Sequence, residues 1–515
     1  MSSLIIGAPH LEAIPERATS SSFAQLTTRI LLCGLAIFAI SVPHSIAAAQ
    51  IGLGLSYVAW IARALAVGRL GIPQTPIDRP LLCFIALTIV SSVLSVEPAE
   101  SIPKLRTLTL FGVFYLIIAN LRPRGARWMV GLMIVSGLVG VGYSLMEKGL
   151  GRGMIITSIE DNSPLRTTYL RPGDVHLRPG GVIWLIGRHR VNSLEEANRI
   201  ISESPTGAIY AIEALRDGDP APAGLLMVTE EMKSRANPLG VSVDGSSRRF
   251  RISGFSRNFI TYAEQMQLFA LLAYGLLLSN LKSLRNGRSG VWLWVSLSLA
   301  GMFSLALILT ASRGAIATCI LALLVTLALI KGRRAMLLAL VAVIAMAAVS
   351  VYMVRAIRPP NATSLTDDSS KRRFNYMRAG LRLIPQHPIF GVGLDSQKSH
   401  WKEWGFPGDY VTHTHSTPIQ IAVDRGLPAL GCYLWLMAML FVMTWRGYKK
   451  SLPALSTTGS GLMLGAVAAL IGFSASSLIN YNFGDSEPLL MLLSVVALSL
   501  VVSGQIGLNG RAQST

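Results

Sequence analysis

Apolar stretches separated by short polar turns run along most of the chain, at approximately 27–43, 46–66, 80–96, 105–120, 127–146, 264–281, 290–311, 314–330, 335–354, 427–445, 460–480 and 487–506. An α-helix needs about 20 mostly apolar residues to cross the hydrocarbon core of a bilayer, so the pattern predicts about 12 transmembrane helices. Two stretches break the rhythm. Residues 147–263 and 355–426 are long and polar, and recognition or chemistry is expected there. The expected fold class is an all-α polytopic membrane protein with a small β-rich extracytoplasmic domain inserted between helices 5 and 6. Its divisions are 1–146 (N-terminal tail and helices 1–5), 147–250 (the insert), 251–354 (helices 6–9), 355–426 (a large polar loop) and 427–515 (helices 10–12 and C-terminal tail). The stretch from Met1 to about Gln25 is polar, and no small-residue cleavage site follows closely behind a basic start, so a retained first span is expected.

Charge tests this division independently of hydropathy. Reading alternate connections, Arg63/Arg69/Arg79, Arg122/Arg124/Arg127, Lys282/Arg285/Arg288, Lys331/Arg333/Arg334 and Arg446/Lys449/Lys450 fall on one side. The short connections on the other side offer little more than Lys104, Arg106 and Arg313. Basic residues favour cytoplasmic loops, so both termini are expected in the cytoplasm and both long polar segments outside it. Composition agrees, because a soluble chain that is 51% hydrophobic and 14% charged could not cover its apolar surface. The net charge of +19 is then an orientation signal, and no nucleic-acid partner is expected. Cys33, Cys83, Cys319 and Cys432 all fall in apolar runs, which leaves neither a disulfide framework nor a cysteine–zinc site in the polar segments.

From Gly151 the texture changes to that of a soluble domain, with alternating apolar strands, Pro/Gly turns and a short helix at Ser193–Ser202 capped by Ser193 with Glu196 three residues on. The "SP…LRPGD" turn and the "G-x-x-V-x-S-x-E-E" step resemble a bacterial PDZ domain over roughly 70 residues. Extra residues at Val175–Gly181 depart from that pattern. The resemblance implies a peptide or protein partner bound by strand addition near Gly153–Ile159, with a plain structural spacer as the alternative.

In the second polar segment Phe374, Met377, Leu381 and Ile384 recur at helical spacing with Lys371, Arg378 and Arg382 along one flank, as in a helix lying on a membrane surface. "RRFNYMRAGLRLIPQHPIFGVGL" followed by "THTHSTPIQIAVDRGLPALGCYL", with "TASRGA" and "SGFSRNFITYAEQM" upstream, resembles the O-antigen ligase and polymerase family. The resemblance implies a bacterial inner-membrane glycosyltransferase acting at the periplasmic face. Its donor would be a glycan on a polyprenyl diphosphate, its acceptor a glycan or lipid-anchored hydroxyl, and its surroundings membrane lipids. No cofactor is implied, since the donor is already activated. Arginine suits such chemistry because its planar fork binds phosphate oxygens bidentately.

Arg313, in Ser312-Arg313-Gly314 between two apolar runs, is the first diphosphate-binding candidate. A snorkelling interfacial arginine reads the same on position alone, and the family motif favours the functional role. Arg372 and Arg373 both match the family's loop arginine. His415 is the candidate general base: Ser416-Thr417-Pro418 reads as a helix start, and the partial positive charge there disfavours imidazolium. His413 shares or orients that role. His400, His413 and His415 with Asp409 could in principle ligate a metal, but no metal-ligand spacing supports it and none is expected. Competing functions are a polymerase of the same family, a solute transporter, and an inactive scaffold. Few charges fall in the centres of the spans, which favours chemistry at the rim over passage.

Overall fold

The computed structural model describes residues 22–170, 175–216, 218–256, 258–284, 290–330, 337, 340, 341, 344, 348, 351, 352, 368–407, 413–454 and 457–505. It is an all-α multipass membrane protein interrupted by a β-sheet insertion. The helices before the insertion are α1 (Ser22–Ser41), α2 (Ile46–Val67), α3 (Asp78–Val93), α4 (Pro98–Asn120) and α5 (Pro123–Leu150). The sheet follows, comprising β1 (Arg152–Ile159), β2 (Val182–Ile186), β3 (His189–Arg190), β4 (Ile209–Arg216), β5 (Asp219–Met227) and β6 (Val241–Ser247), with α6 (Leu194–Glu203) between β3 and β4. Then come α7 (Phe259–Leu284), α8 (Val291–Leu309), α9 (Arg313–Ile330), α10 (Asp368–Leu383), α11 (Thr417–Ala454), α12 (Thr457–Ser477) and α13 (Ser486–Val502).

Among the described residues eight helices are long and apolar enough to cross a membrane, rather than the expected 12. The run at 80–96 becomes α3, only 16 residues long, and the run at 487–506 becomes α13, only 17. The run at 264–281 belongs to α7, whose apolar stretch is flanked by Glu264, Gln265 and Gln267 at one end and Asn280 and Lys282 at the other. Most of the run at 335–354 lies outside the described residues. By this count the insertion separates the fourth crossing helix, α5, from the fifth, α8, not the fifth from the sixth.

Packing explains the short and polar members. Every residue of α13 from Pro488 to Val502 is buried, and α7 is buried from Thr261 to Ala273 while packing against α5, α8, α9, α12 and α13. A helix surrounded by protein can carry polar side chains, provided that they find partners. The outer helices instead expose large apolar side chains, such as Ile51, Val58 and Leu65 on α2 and Trp292 on α8, as lipid-facing surfaces do.

The sheet has the order β5-β4-β2-β1-β6, with β3 paired to β2, and each paired strand runs antiparallel to its neighbour. Met154, Ile156, Ile183, Ile186, Ile212 and Leu226 share a core with Ala197 and Ile201 of α6. Ser193 caps α6 by accepting from the Glu196 amide at 3.2 Å, as the sequence pattern predicts, while Glu196 accepts from Asn192 N–H at 2.8 Å. β1 pairs with β6 along one edge, from Arg152↔Ser247 to Ile159↔Val241, and with β2 at Met154 and Ile155 on the other, so strand addition on the first edge would require β6 to leave. Residues 171–174 of the expected PGD turn lie outside the described residues.

The insertion is fastened to α5. Glu147 accepts from Arg152 at 2.6 and 3.1 Å and from Arg190 at 3.3 Å, while Arg190 also donates to Tyr143 Oη at 3.0 Å. The Arg152 guanidinium lies 4.5 Å from the Phe250 ring centroid, and Phe250 and Ile252 join the membrane core. The sheet is thereby held at the end of the bundle where the second polar segment also gathers.

Candidate functional site

α11 is broken at Gly426, whose φ is +82°, and the break organises the site. In an unbroken helix Val423 and Asp424 carbonyls would accept from residues 427 and 428. Pro428 has no N–H, and Leu427 N–H donates instead to Pro388 O at 2.8 Å. The orphaned carbonyls are taken by the turn His387–Gly393: Val392 N–H donates to Val423 O and Gly393 N–H to Asp424 O, both at 2.9 Å. Ser91 adds a bond to Asp424 O at 2.8 Å. A Cβ at Gly426 would overlap the Ile389 carbonyl, and one at Gly391 the Asp424 backbone. The glycines of the HP-x-x-G-x-G motif thus allow two backbones to approach closely. The same turn is tied to the α3–α4 connection, where Val96 N–H donates to Val392 O at 3.0 Å and Ser95 lies 2.8 Å from Ser396 Oγ.

The histidine loop precedes this broken helix. α11 begins at Thr417, as Ser416-Thr417-Pro418 predicts, and Thr417 N–H and Oγ1 donate to Asn480 O at 3.2 and 3.1 Å. His415 adopts φ +58°, a left-handed conformation uncommon outside glycine. Its backbone N–H donates to His413 Nδ1 at 3.1 Å, which places the His413 proton on Nε2. The two rings meet edge-on at 4.4 Å between centroids, with Tyr481 at 5.5 Å from His413 and Tyr376 at 5.7 Å from His415. Burial and Arg373 lower the His413 pKa to about 4. Burial, His413 and Arg373 lower that of His415 to about 3. Both imidazoles are neutral at neutral pH.

α10 forms at the expected helical stretch. Tyr376, Ala379 and Leu383 face inward, whereas Phe374 and Leu381 are exposed beside Arg378 and Arg382, as in a helix at a membrane surface. Of the two candidate arginines, Arg372 is exposed and Arg373 is partly buried, with Nη1 donating to Asn480 Oδ1 at 3.1 Å. Asn480 in turn donates to Glu264 Oε1 at 3.0 Å, which also accepts from Ser476 at 2.8 Å. Arg313 opens α9, and a Cβ on the following Gly314 would press on Ile479, one residue before Asn480. The start of α9 at Arg313–Gly314, Arg373 and the histidines therefore lie around the α12–α13 connection, although a hundred residues of sequence separate Arg313 from His413.

Beside them lies a cavity of about 320 Å³ lined by Lys104, Arg106, His413, Arg425, Tyr481 and Asp485, with Phe84, Phe111 and Phe483 among its apolar walls. His413, rather than His415, faces this space. Arg425 is 5% exposed, sits 3.6 Å from Asp424, and has Nε and Nη1 without hydrogen-bond partners among the described residues. Lys104 pairs with Asp395 at 2.6 Å at the edge of the cavity. Burial and the neighbouring Glu487 raise the Asp485 carboxyl to about 6, and burial pushes the Tyr481 hydroxyl up to about 12.

Among the described residues, the metal ligand set considered from sequence does not assemble. His400 is engaged by Glu403 at 2.7 Å and Glu97 at 3.2 Å, and Asp409 lies outside the described residues. Among the described residues no group of three His, Cys, Asp or Glu side chains could hold a metal ion.

The O-antigen ligase family model matches residues 295–434. That stretch contains Arg313, Arg372, Arg373, His413 and His415. No curated protein matches the chain at a significant level. Several cavity residues fall outside the match or carried no signal in the motifs: Lys104, Arg106, Arg425, Tyr481 and Asp485, with Glu264 and Asn480 supporting them. One sign was present in sequence, the polar run Asn480–Glu487 between the last two apolar stretches.

Proposed function

We propose that this protein is an O-antigen ligase-like glycosyltransferase of the bacterial inner membrane, transferring a glycan from a polyprenyl-diphosphate carrier to an acceptor hydroxyl at the periplasmic face. The observation that carries the reading is the meeting of Arg425 and neutral His413 at one cavity, with Arg373 held on Asn480 next to cavity-lining Tyr481 and all three inside the segment matching that family. In the reaction the acceptor oxygen bonds to the anomeric carbon as the bond from that carbon to the diphosphate oxygen breaks. Negative charge grows on the departing polyprenyl diphosphate, and fixed cations stabilise it without reorganising. Arg313 and Arg373 hold the diphosphate. Arg425, buried beside Asp424 with Nε and Nη1 in no hydrogen bond among the described residues, supplies further donors to it.

The hydroxyl proton passes to a histidine. His415 is the base in this reading, with His413 orienting it through the bond that His413 Nδ1 accepts from the His415 backbone N–H. Their low pKa values describe the protein without substrate. A bound diphosphate offsets the field of Arg373 and raises both toward working pH, where a general base is most effective. The family match supports a ligase or a polymerase equally, since both break the same bond.

Transport finds less support. Transporters use broken helices to bind substrates, but the carbonyls freed at the Gly426 break are already taken by Val392, Gly393 and Ser91.

The deciding experiment is analysis of lipid-linked glycans in a deletion strain complemented with wild type or His415→Ala. Finished chains left on the carrier identify a ligase, single repeats identify a polymerase, and an unchanged glycan profile rejects both.

A further inference from the structure

A second cavity, of about 860 Å³, lies at the opposite end of the helices from the histidine loop, and Arg29, Arg63, Arg69, Arg122, Arg124 and Trp128 line it. The arginines come from separate places: α1, the end of α2, the connection after it, and the α4–α5 connection. Asp and Glu are absent from the lining formed by the described residues. Two bonds set its shape. Arg63 Nη2 donates to Asn120 Oδ1 at the end of α4, and Trp60 Nε1 donates to Leu70 O at 3.1 Å, fixing the turn that carries Arg69. Leu31, Val67 and Leu121 add apolar wall, and at the rim Trp128 is 69% exposed and Leu70 46% exposed.

An orientation signal requires basic residues near the ends of spans, not their convergence on one hollow. Arg446, Lys449 and Lys450 show the simpler case at the same end, all exposed at the end of α11, with Lys449 over the Trp445 ring at 5.2 Å. Five guanidiniums around one cavity without a carboxylate among its described lining repel one another unless an anion lies between them. Planar guanidinium forks match phosphate oxygens, and an exposed tryptophan with apolar walls matches the boundary between headgroup and acyl chain. We propose that this cavity binds the phosphate of an anionic phospholipid headgroup in the leaflet opposite the histidine loop. The site is independent of the glycan-transfer reading.

The test uses the purified full-length chain, delipidated in detergent, with phosphatidylglycerol or inorganic phosphate added and bound species counted by native mass spectrometry. Wild type is expected to retain phosphatidylglycerol, and Arg122→Gln/Arg124→Gln to bind it at least about tenfold more weakly, since each basic residue near a headgroup contributes measurably. Arg29→Gln/Arg69→Gln is a second variant, should the first fail to fold. Lys449→Gln/Lys450→Gln removes the same charge from the same end and is expected to bind like wild type. Equal weakening in the lysine variant, or none in either arginine variant, overturns the proposal. Retention of inorganic phosphate without the lipid overturns the lipid as the source and assigns the cavity to a soluble phosphate.

Discussion

Arg373 donates from Nη1 to Asn480 Oδ1 at 3.1 Å, and this bond helps to join the large polar loop to the connection between the last two helices. Asn480 is itself fixed by Glu264, so the orientation of Arg373 rests on a buried carboxyl group in α7. Asn480→Ala removes the acceptor without touching the charge. A hydrogen bond to a charged group is worth about 1.5–3 kcal/mol, so transfer should fall by about 10–100-fold while the protein stays folded. Arg373→Ala should cost more, Arg373→Lys should recover part of the loss, and Arg372→Ala should cost little. A reconstituted assay with lipid-linked glycan measures all four, and equal effects of the two arginine-to-alanine changes would contradict the assignment of Arg373.

Acid should weaken the histidine loop. His413 and His415 have folded pKa values of about 4 and 3, below the 6.5 of a free histidine. The unfolded chain therefore takes up protons first as pH falls, and the stabilisation present above about 6.5 drains away toward pH 4. Thermal unfolding between pH 7 and pH 4 should show a steeper decline for wild type than for His413→Gln/His415→Gln. Histidine NMR signals that titrate between pH 6 and 7 without substrate would refute the neutral pair.

Gly426→Ala should be severely destabilising, because φ is +82° and the added carbon meets the Ile389 carbonyl. The left-handed conformation alone costs a non-glycine residue about 1–2 kcal/mol, and the overlap adds to it. Gly431→Ala, in the same helix with open space around it, should leave the melting temperature unchanged or slightly raised. The pair can be compared by thermal unfolding in one detergent.

The β-sheet insertion should be removable at its own ends. Arg152 pairs with Ser247, so a short Gly/Ser linker can bridge Gly151 to Arg248 while Phe250 and Ile252 stay in the membrane core. Deletion strips Glu147 of both arginine partners, and an unpaired buried carboxylate costs several kcal/mol. The deletion combined with Glu147→Gln should therefore elute as a single species more readily than the deletion alone. Aggregation of the combined variant would show the sheet to be integral.

Labelling fixes the orientation. A cysteine at exposed Ser202 on α6 should react with an impermeant reagent applied to intact spheroplasts, and one at exposed Lys449 only after lysis. The reverse pattern would invert the proposed topology.

Much of this was legible in the chain. Apolar runs and the alternation of basic clusters marked a multipass protein, because hydrophobic length and loop charge are local properties that a bilayer reads directly. Ser193 and Thr417 marked helix starts for the same reason, since a cap depends on neighbours a few residues away. The motifs also named Arg313, Arg372, Arg373 and the histidine pair as candidates, without separating Arg372 from Arg373. The count of spans was less legible: α13 is short and α7 is polar because neighbouring helices, not lipid, surround much of them, and α3 is simply 16 residues long.

What only the tertiary structure decided depends on contacts between distant segments. Arg372 and Arg373 are equivalent in sequence, and Asn480, more than a hundred residues away, distinguishes them. Arg425 reads as one more charge near a helix, but the Gly426 break and the turn His387–Gly393 bury it against a cavity with N–H groups unspent. β1 reads as an open strand until β6, some eighty residues on, closes its edge. The sequence by itself determined which segments are apolar, turn and carry charge, because those follow from short-range chemistry. Which of the charged groups face one another was settled by packing, because burial and partnership are properties of the assembled bundle.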